Sequence, residues 1–149
     1  METSQRCAEC GAVWITEQTC EDHFHQMLYW EAENPGYGAE VHHLMVLCYY
    51  LQHPSLYSAA GLNEARRLLA EFVDHGLSPA EARQRNSAYV DSGRRHWKIK
   101  GTAGSRGSYG CAVVWNITAA DIVAGGAKNY CDNVRVWAHL VNEVLKTVA

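Results

Sequence analysis

The fold is decided by residues 19–54, which read TCEDHFHQMLYWEAENPGYGAEVHHLMVLCYYLQHP. Thr19 is a favourable helix N-cap, and Asp22 three residues later completes a capping-box pattern. The apolar spacing predicts a helix that continues to about Glu33 and, after a turn rich in glycine and proline, a second helix over about 39–53. The stretch therefore predicts two antiparallel helices joined by a tight turn.

A Cys-x-x-Cys-Gly turn precedes this hairpin and supplies two thiols, Cys7 and Cys10. Zn²⁺ prefers four tetrahedral sulfur or imidazole ligands, and thiols in a reducing compartment are more often metal-binding or redox-active than disulfide-bonded. Cys20 lies in the first turn of the predicted helix, where the helix dipole stabilises a thiolate. Three sulfur ligands are thus predicted close to the start of the hairpin.

The register of the hairpin suggests the fourth ligand. Facing residues on the two helices should have numbers that add up to about 73, which pairs Cys20 with His53 and Glu31 with His42. We therefore predict a structural zinc site whose ligands are Cys7, Cys10, Cys20 and His53. His23, one helical turn beyond Cys20, is the reserve candidate.

Glu31 and His42 form a second constellation, about 16 Å along the hairpin from the first. A carboxylate facing an imidazole could be a general acid–base pair, and with His25 it could form an open metal site of two histidines and one carboxylate. Tyr49 could extend either arrangement. The alternative is a buried hydrogen-bonded pair that fixes the register of the hairpin. Glu31, His42 and His25 are thus the catalytic candidates, and none has an assigned role.

The remaining segments predict a mainly α protein with a helical bundle core. Helices are expected over about 60–75, over about 79–90 behind a Ser-Pro-x-Glu cap, in a short segment after Thr118, and over about 128–147. Residues 97–100 and 113–117 predict a short β-hairpin. We expect a single domain over 1–149, comprising a metal knuckle (1–20), a helical core (20–90), a basic loop or hairpin (91–117) and C-terminal helices (118–149).

Charge is distributed unevenly along the chain. Residues 1–82 carry twelve acidic and three basic side chains, residues 83–107 carry seven basic and one acidic, and the total is −3. This balance argues against a nucleic-acid-binding protein. The basic segment Arg94–Arg106 could bind a partner protein or a small anionic ligand, or could fold back over the acidic part of the chain.

Other signals bear on location and on the remaining cysteines. The longest apolar run, Leu44–Leu51, is far shorter than a membrane span, and no signal-peptide pattern is present, so we expect a soluble cytoplasmic protein. Cys48, Cys111 and Cys131 have apolar neighbours and are interpreted as small core residues.

Several stretches resemble an uncharacterised bacterial family that is classed only as a domain of unknown function. They are CAECGA at 7–12, Cys20 with Phe24, the region of Glu31, VHHL at 41–44, LQHPS at 51–55, WNITAADIV at 115–123 and VRVWA at 134–138. The resemblance implies a bacterial source and one domain, and it implies no activity.

Three functions follow from these observations. The first is a zinc-stabilised helical protein that acts by binding a partner or a small ligand through its basic segment. The second is a metal-dependent hydrolase or acid–base enzyme that uses Glu31 and His42. The third is a redox regulator in which oxidation of the three clustered cysteines releases zinc.

Overall fold

A computed structural model describes residues 5–14, 17–91 and 106–148, with the backbone alone for 86–91. The described part is mainly α, as predicted, with six α-helices and one small antiparallel hairpin. The strands are β1 (Gln5–Arg6) and β2 (Val13–Trp14). The helices are α1 (Cys20–Glu33), α2 (Pro35–Leu51), α3 (Ala59–His75), α4 (Pro79–Asp91), α5 (Ala119–Ala124) and α6 (Tyr130–Lys146). Among these helices, none combines the length and the apolar character that crossing a membrane requires.

Helix α2 is the centre of the bundle and packs against α1, α3 and α6. Its side chains Val41, Met45, Cys48 and Leu51 are completely buried. Helix α6 is amphipathic, and its buried stripe faces the core at helical spacing. That stripe includes Tyr130, Val134, Trp137, Val141 and Leu145. The hydrophobic effect at this central helix therefore fixes the bundle and the position of the hairpin within it.

The predicted hairpin of α1 and α2 is present, with one correction. The capping box at Thr19 and Asp22 forms as expected, and α1 ends at Glu33. However, α2 begins at Pro35 rather than near residue 39, so only Asn34 separates the two helices. Proline is favoured at the first helical position because its missing N–H would have no partner there, and its fixed φ suits the helix. The segment that was predicted to be a turn is therefore the first turn of α2.

Helices α3 and α4 lie within one residue of their predicted limits. Gly76 ends α3 in the left-handed conformation with a φ of 68°, which glycine adopts without strain. The Ser78 hydroxyl accepts a hydrogen bond from the N–H of Glu81 at 3.1 Å, as the capping pattern predicted. Arg85 forms an ion pair with Glu71, so one of the seven basic side chains of residues 83–107 contacts the acidic part of the chain.

The β-hairpin predicted from 97–100 and 113–117 is not supported. Residues 97–100 lie outside the described residues, and 113–117 form no strand within the described part of the chain. The Ile117 carbonyl instead accepts a hydrogen bond from the side-chain amide of Gln52 at 2.7 Å. The basic segment Arg94–Arg106 also lies outside the described residues except for Arg106, which forms an isolated bridge with Ser58.

Polar side chains attach the segment after residue 106 to the end of α2. The Tyr109 hydroxyl donates to the Leu51 carbonyl. Arg66 donates to the carbonyls of Leu145 and Val148, at 2.9 Å each, and its guanidinium lies 5.8 Å from the centre of the Tyr109 ring. The Tyr109 contact thus attaches this segment to the last residue of α2, two residues before His53.

Candidate metal centre

The N-terminal knuckle, residues 5–14, is a tight hairpin that presents its cysteines on one turn. Gln5 pairs with Trp14 across the two strands. The Cys7 N–H donates to the Ala12 carbonyl at 2.9 Å, and the Gly11 N–H donates to the Cys7 carbonyl at 3.0 Å. Gly11 has a φ of 78°, a conformation that favours glycine. The glycine of the Cys-x-x-Cys-Gly pattern is thus required by the shape of the turn.

Four side chains with metal-ligating atoms converge beside this turn. Within the described residues, one ligand atom from each of Cys7, Cys10, Cys20 and His53 lies within 4.8 Å of the others. We call these four residues the metal cluster. The Cys10 and Cys20 sulfurs are 3.5 Å apart. His53, rather than the reserve candidate His23, belongs to the cluster, and the four residues lie close enough to bind a metal ion.

The imidazole of His53 is oriented for ligation. Its Nδ1 donates a hydrogen bond to the Tyr49 carbonyl at 2.6 Å, which assigns the proton to that nitrogen. The Nε2 atom is buried and has no hydrogen-bond partner among the described residues. The Tyr49 ring lies against the imidazole, with centroids 4.3 Å apart, and Phe24 lies against Tyr49 at 4.6 Å. Tyr49 therefore belongs to this end of the hairpin and does not extend the Glu31–His42 pair.

The electrostatics of the cluster favour a positive charge among the sulfurs. Hydrogen bonding between Cys10 and Cys20 lowers the pKa of Cys20 and raises that of Cys10, and burial adds to the increase at Cys10. Burial alone lowers the pKa of His53, but the Cys20 sulfur, the Tyr49 carbonyl and the Cys7 thiol raise it to about 9. Cys20, whose pKa is lowered, and His53, whose pKa is raised, thus face each other in a buried site. This is expected of residues that bind a metal ion in place of protons.

Two residues that support the cluster were not predicted from the sequence. The Trp14 indole N–H donates to the Cys20 sulfur at 3.3 Å. The Glu9 carboxylate accepts a hydrogen bond from the Ser55 N–H at 3.0 Å, which joins the knuckle to the turn after His53. The sequence alone does not indicate the Trp14 contact, because it depends on the pairing of Trp14 with Gln5 in the folded hairpin.

The second constellation is also assembled, in part. His42 Nδ1 lies 2.7 Å from Glu31 Oε1, as the register predicted, and the Tyr130 hydroxyl donates to the other carboxylate oxygen. His25 is exposed on α1, 4.0 Å from Glu21, and is not part of this group. Within the described residues, the metal cluster is the one group of three or more potential ligands, so the predicted open site of His25, Glu31 and His42 does not form.

The other cysteines differ from one another. Cys48 is a completely buried core residue, as predicted, and Cys131 is half-buried. Cys111 is exposed, so its assignment to the core was wrong. Residues 110–111 form a bend in an irregular segment, and the apolar neighbours of Cys111 in the sequence do not enclose it.

The sequence as a whole was compared with known proteins. Residues 5–146 match a family described as "Family of unknown function (DUF5946)". The chain belongs to this family. The match includes all four residues of the metal cluster and all six helices, and the expected resemblance to an uncharacterised family is confirmed. Neither a curated protein nor a solved structure gives a match.

Proposed function

We propose that the metal cluster holds a structural Zn²⁺ ion and that the protein acts as a zinc-stabilised helical scaffold. The observation that supports this most strongly is the orphaned Nε2 of His53, which is buried and faces three cysteines while its other nitrogen is already hydrogen-bonded. A buried polar atom without a partner is costly, and a metal bond removes that cost.

The donor set favours zinc over the harder divalent cations. Thiolate and imidazole ligands suit Zn²⁺, whereas Mg²⁺ and Ca²⁺ require oxygen ligands. At a zinc–sulfur distance of about 2.3 Å, two sulfurs of a tetrahedral site lie roughly 3.8 Å apart. The 3.5 Å between the Cys10 and Cys20 sulfurs is close to that value. Four protein ligands also leave no position for substrate, which is typical of structural zinc.

The ion would join parts of the chain that are distant in sequence. Cys7 and Cys10 belong to the knuckle, Cys20 begins α1 and His53 follows the end of α2. One zinc ion thus closes a loop of more than forty residues and clamps the knuckle onto both helices of the hairpin. The Trp14 indole and the Tyr49 carbonyl would hold the Cys20 and His53 ligands in place.

The direct test is the metal content of the purified protein, measured by mass spectrometry. We expect one zinc per chain, which is lost in Cys20→Ser and in His53→Ala. Cys111→Ser and His25→Ala are matched controls, since both side chains are exposed and outside the cluster, and they should keep the ion. A metal-free protein, or retention of zinc in both cluster variants, would refute the proposal.

The scaffold would act by binding a partner protein or a small anionic ligand through the basic segment Arg94–Arg106. The support is the charge of the sequence, in which 83–107 carry seven basic residues against one acidic residue. Reversing Arg94, Arg95, Lys98 and Lys100 to Glu should abolish retention on immobilised heparin, used as a polyanion probe, and leave zinc content unchanged. Equal retention of the variant would exclude this surface. A bacterial source and a cytoplasmic location, where thiols stay reduced, belong to the same proposal.

One distance favours a redox regulator as a second candidate. The Cys10 and Cys20 sulfurs are 3.5 Å apart, so a modest movement would allow a disulfide between them once the metal has left. Oxidation by a peroxide would take two electrons from the two thiolates, form the S–S bond and reduce the peroxide to water or alcohol. Stoichiometric hydrogen peroxide should then release zinc and give a Cys10–Cys20 disulfide in peptide mass spectra. Full retention of zinc would exclude this role.

A further inference from the structure

A cavity of about 290 Å³ lies between the N-terminal knuckle and the segment that follows residue 106. The residues that line it include Glu9 of the knuckle, Pro54 after the end of α2, and the aromatic side chains Tyr109 and Trp115. Among the described residues, no lysine, arginine or histidine lines this cavity. It therefore combines aromatic walls with a single carboxylate, and none of the four residues of the metal cluster lines it.

The two aromatic rings form an angled wall of the cavity. Their centroids are 6.3 Å apart, and their planes are inclined at 60°. The Tyr109 hydroxyl donates to the Leu51 carbonyl, and Trp115 is buried, so packing and hydrogen bonding hold both rings in place. A cation is attracted to the face of an aromatic ring when it lies within about 6 Å of the ring centroid. The separation of the two centroids allows one cation to lie within that distance of both.

One of these rings already has a cation beside it. The guanidinium of Arg66 lies 5.8 Å from the centroid of the Tyr109 ring. Arg66 donates to the carbonyls of Leu145 and Val148 at the C-terminal end of α6, where the helix dipole is negative, and it does not line the cavity. The end of α6 thus compensates the charge of Arg66, and the Tyr109 ring is in a setting suited to cation–π contact.

The carboxylate of Glu9 supplies the negative charge. Its Oε1 accepts a hydrogen bond from the Ser55 N–H at 3.0 Å, and this neutral donor orients the carboxylate without removing its charge. The Gly107 N–H donates to the Tyr57 carbonyl at 2.7 Å, and a Cβ at residue 107 would lie only 2.7 Å from the Pro54 carbonyl. Hydrogen bonds therefore fix both walls of the cavity before a ligand binds, which lowers the entropic cost of binding.

We propose that this cavity binds a small, free quaternary ammonium compound, with Tyr109 and Trp115 against its methyl groups and Glu9 balancing its charge. Aromatic side chains recognise such cations because the negative faces of the rings attract a charge that is spread over methyl groups. The volume is at the lower end of the range for small-molecule sites, which suits a trimethylammonium group with a short substituent. The site goes beyond the zinc proposal, although the knuckle contributes residues to both.

The test is a calorimetric titration of the full-length protein with choline chloride, with sodium chloride added to keep the ionic strength constant. The matched probe is 3,3-dimethyl-1-butanol, which has the shape of choline but carbon in place of the charged nitrogen. We expect saturable binding of choline and an affinity about 10-fold lower for the alcohol. No saturable binding of choline, or equal affinities for the two probes, would overturn the proposal. Binding to phosphatidylcholine vesicles without binding of free choline would also overturn it, because the ligand would then be a lipid headgroup.

Two variants test the lining residues separately. Glu9→Gln keeps an acceptor for the Ser55 N–H but removes the charge, and it should weaken choline binding about 10-fold. Trp115→Leu removes one ring and should have an effect of similar size, whereas Glu33→Gln alters an exposed acid on α1 and should have none. Unchanged choline affinity in both Glu9→Gln and Trp115→Leu would contradict the assigned site.

Circular dichroism and zinc content of each variant distinguish a loss of ligand binding from misfolding and from loss of the metal. Wild-type protein that binds choline but contains no zinc would refute the zinc proposal alone. Wild-type protein that contains one zinc ion but does not bind choline would refute the present proposal alone.

Discussion

The two ends of the α1–α2 hairpin each pair a side chain of α1 with a histidine near α2, but the two histidines are held differently. His53 is buried, donates to a neutral carbonyl and directs its other nitrogen at sulfur atoms. His42 is half-exposed and contacts a buried carboxylate through Nδ1. The partner of Nδ1 and the burial of the ring thus distinguish a candidate metal ligand from a half-exposed histidine in an ion pair.

Of the changes predicted at the two ends of the hairpin, removal of the metal ion should have the largest effect on stability. A zinc ion held at a free concentration 1,000-fold above its Kd stabilises the fold by about 4 kcal/mol. For a chain of this size, a strong chelator should lower the Tm by about 8–16 °C. Calorimetry with and without chelator measures the shift, and Glu31→Ala should show the same chelator-dependent shift because its zinc site is intact. A Tm that is insensitive to complete zinc removal would contradict a structural role.

Truncation of Glu31, at the other end of the hairpin, should lower the free energy of unfolding by a smaller amount. Glu31→Ala leaves the hydroxyl of the fully buried Tyr130 without its acceptor, and we expect a loss of about 1–3 kcal/mol in the free energy of unfolding. Glu31→Gln is the matched variant, since it keeps an acceptor for that hydroxyl and should lose less. Urea unfolding with chelator-free buffers gives both values. Equal losses for the two variants would mean that the Tyr130 contact contributes nothing.

The contacts around the metal cluster should affect zinc binding rather than the stability of the fold. Trp14→Phe removes the N–H that donates to the Cys20 sulfur and should weaken zinc binding about 10-fold. Trp30→Phe is the control, because Trp30 packs against Tyr130 at the other end of the hairpin. Competition with a chromophoric chelator measures both affinities. Identical affinities for the two variants would show that the indole contact is incidental.

The smallest expected effect is a pH dependence confined to the end of the hairpin that carries His42. Its pKa is raised in the folded protein, so the contact with Glu31 stabilises the fold at pH values below about 6.5, and this stabilisation is lost as the pH rises through the raised pKa. His42→Ala should therefore destabilise the protein more at pH 6 than at pH 9, by less than about 1 kcal/mol given the exposure of the ring. Unfolding in urea at both pH values measures it, and a loss that is larger at pH 9 would reverse the assigned sign.

Local patterns were sufficient to predict most of the fold. The capping box at Thr19 and the glycine at 76 gave helix limits that the structure confirms, because caps act within one turn of the chain. The start of α2 was missed because proline and glycine at 35–38 are typical of turns, and only the packing of a one-residue connection makes them helical. Residues 113–117 were predicted to form a strand, but the carbonyl of Ile117 accepts its hydrogen bond from Gln52, which is distant in sequence.

In the candidate site, too, local patterns were sufficient for some residues, whereas contacts between residues distant in sequence were not predicted. The register of two adjacent helices predicted that His53 lies near Cys20 and His42 near Glu31, since a hairpin fixes which residues face each other. Tyr130 reaches Glu31 from 99 residues away, and no local pattern indicates which helix of a bundle packs there. Side chains brought by distant elements therefore required the structure, whereas those within the hairpin did not.

The most direct test of the zinc centre is X-ray absorption at the zinc edge of the purified protein. We predict a first shell of three sulfurs at about 2.3 Å and one nitrogen at about 2.0–2.1 Å, from Cys7, Cys10, Cys20 and His53. The nitrogen should disappear from the shell in any zinc that His53→Ala retains. A shell of four sulfurs, or one dominated by oxygen, would contradict the assignment of His53 and with it the clamp between the knuckle and the hairpin.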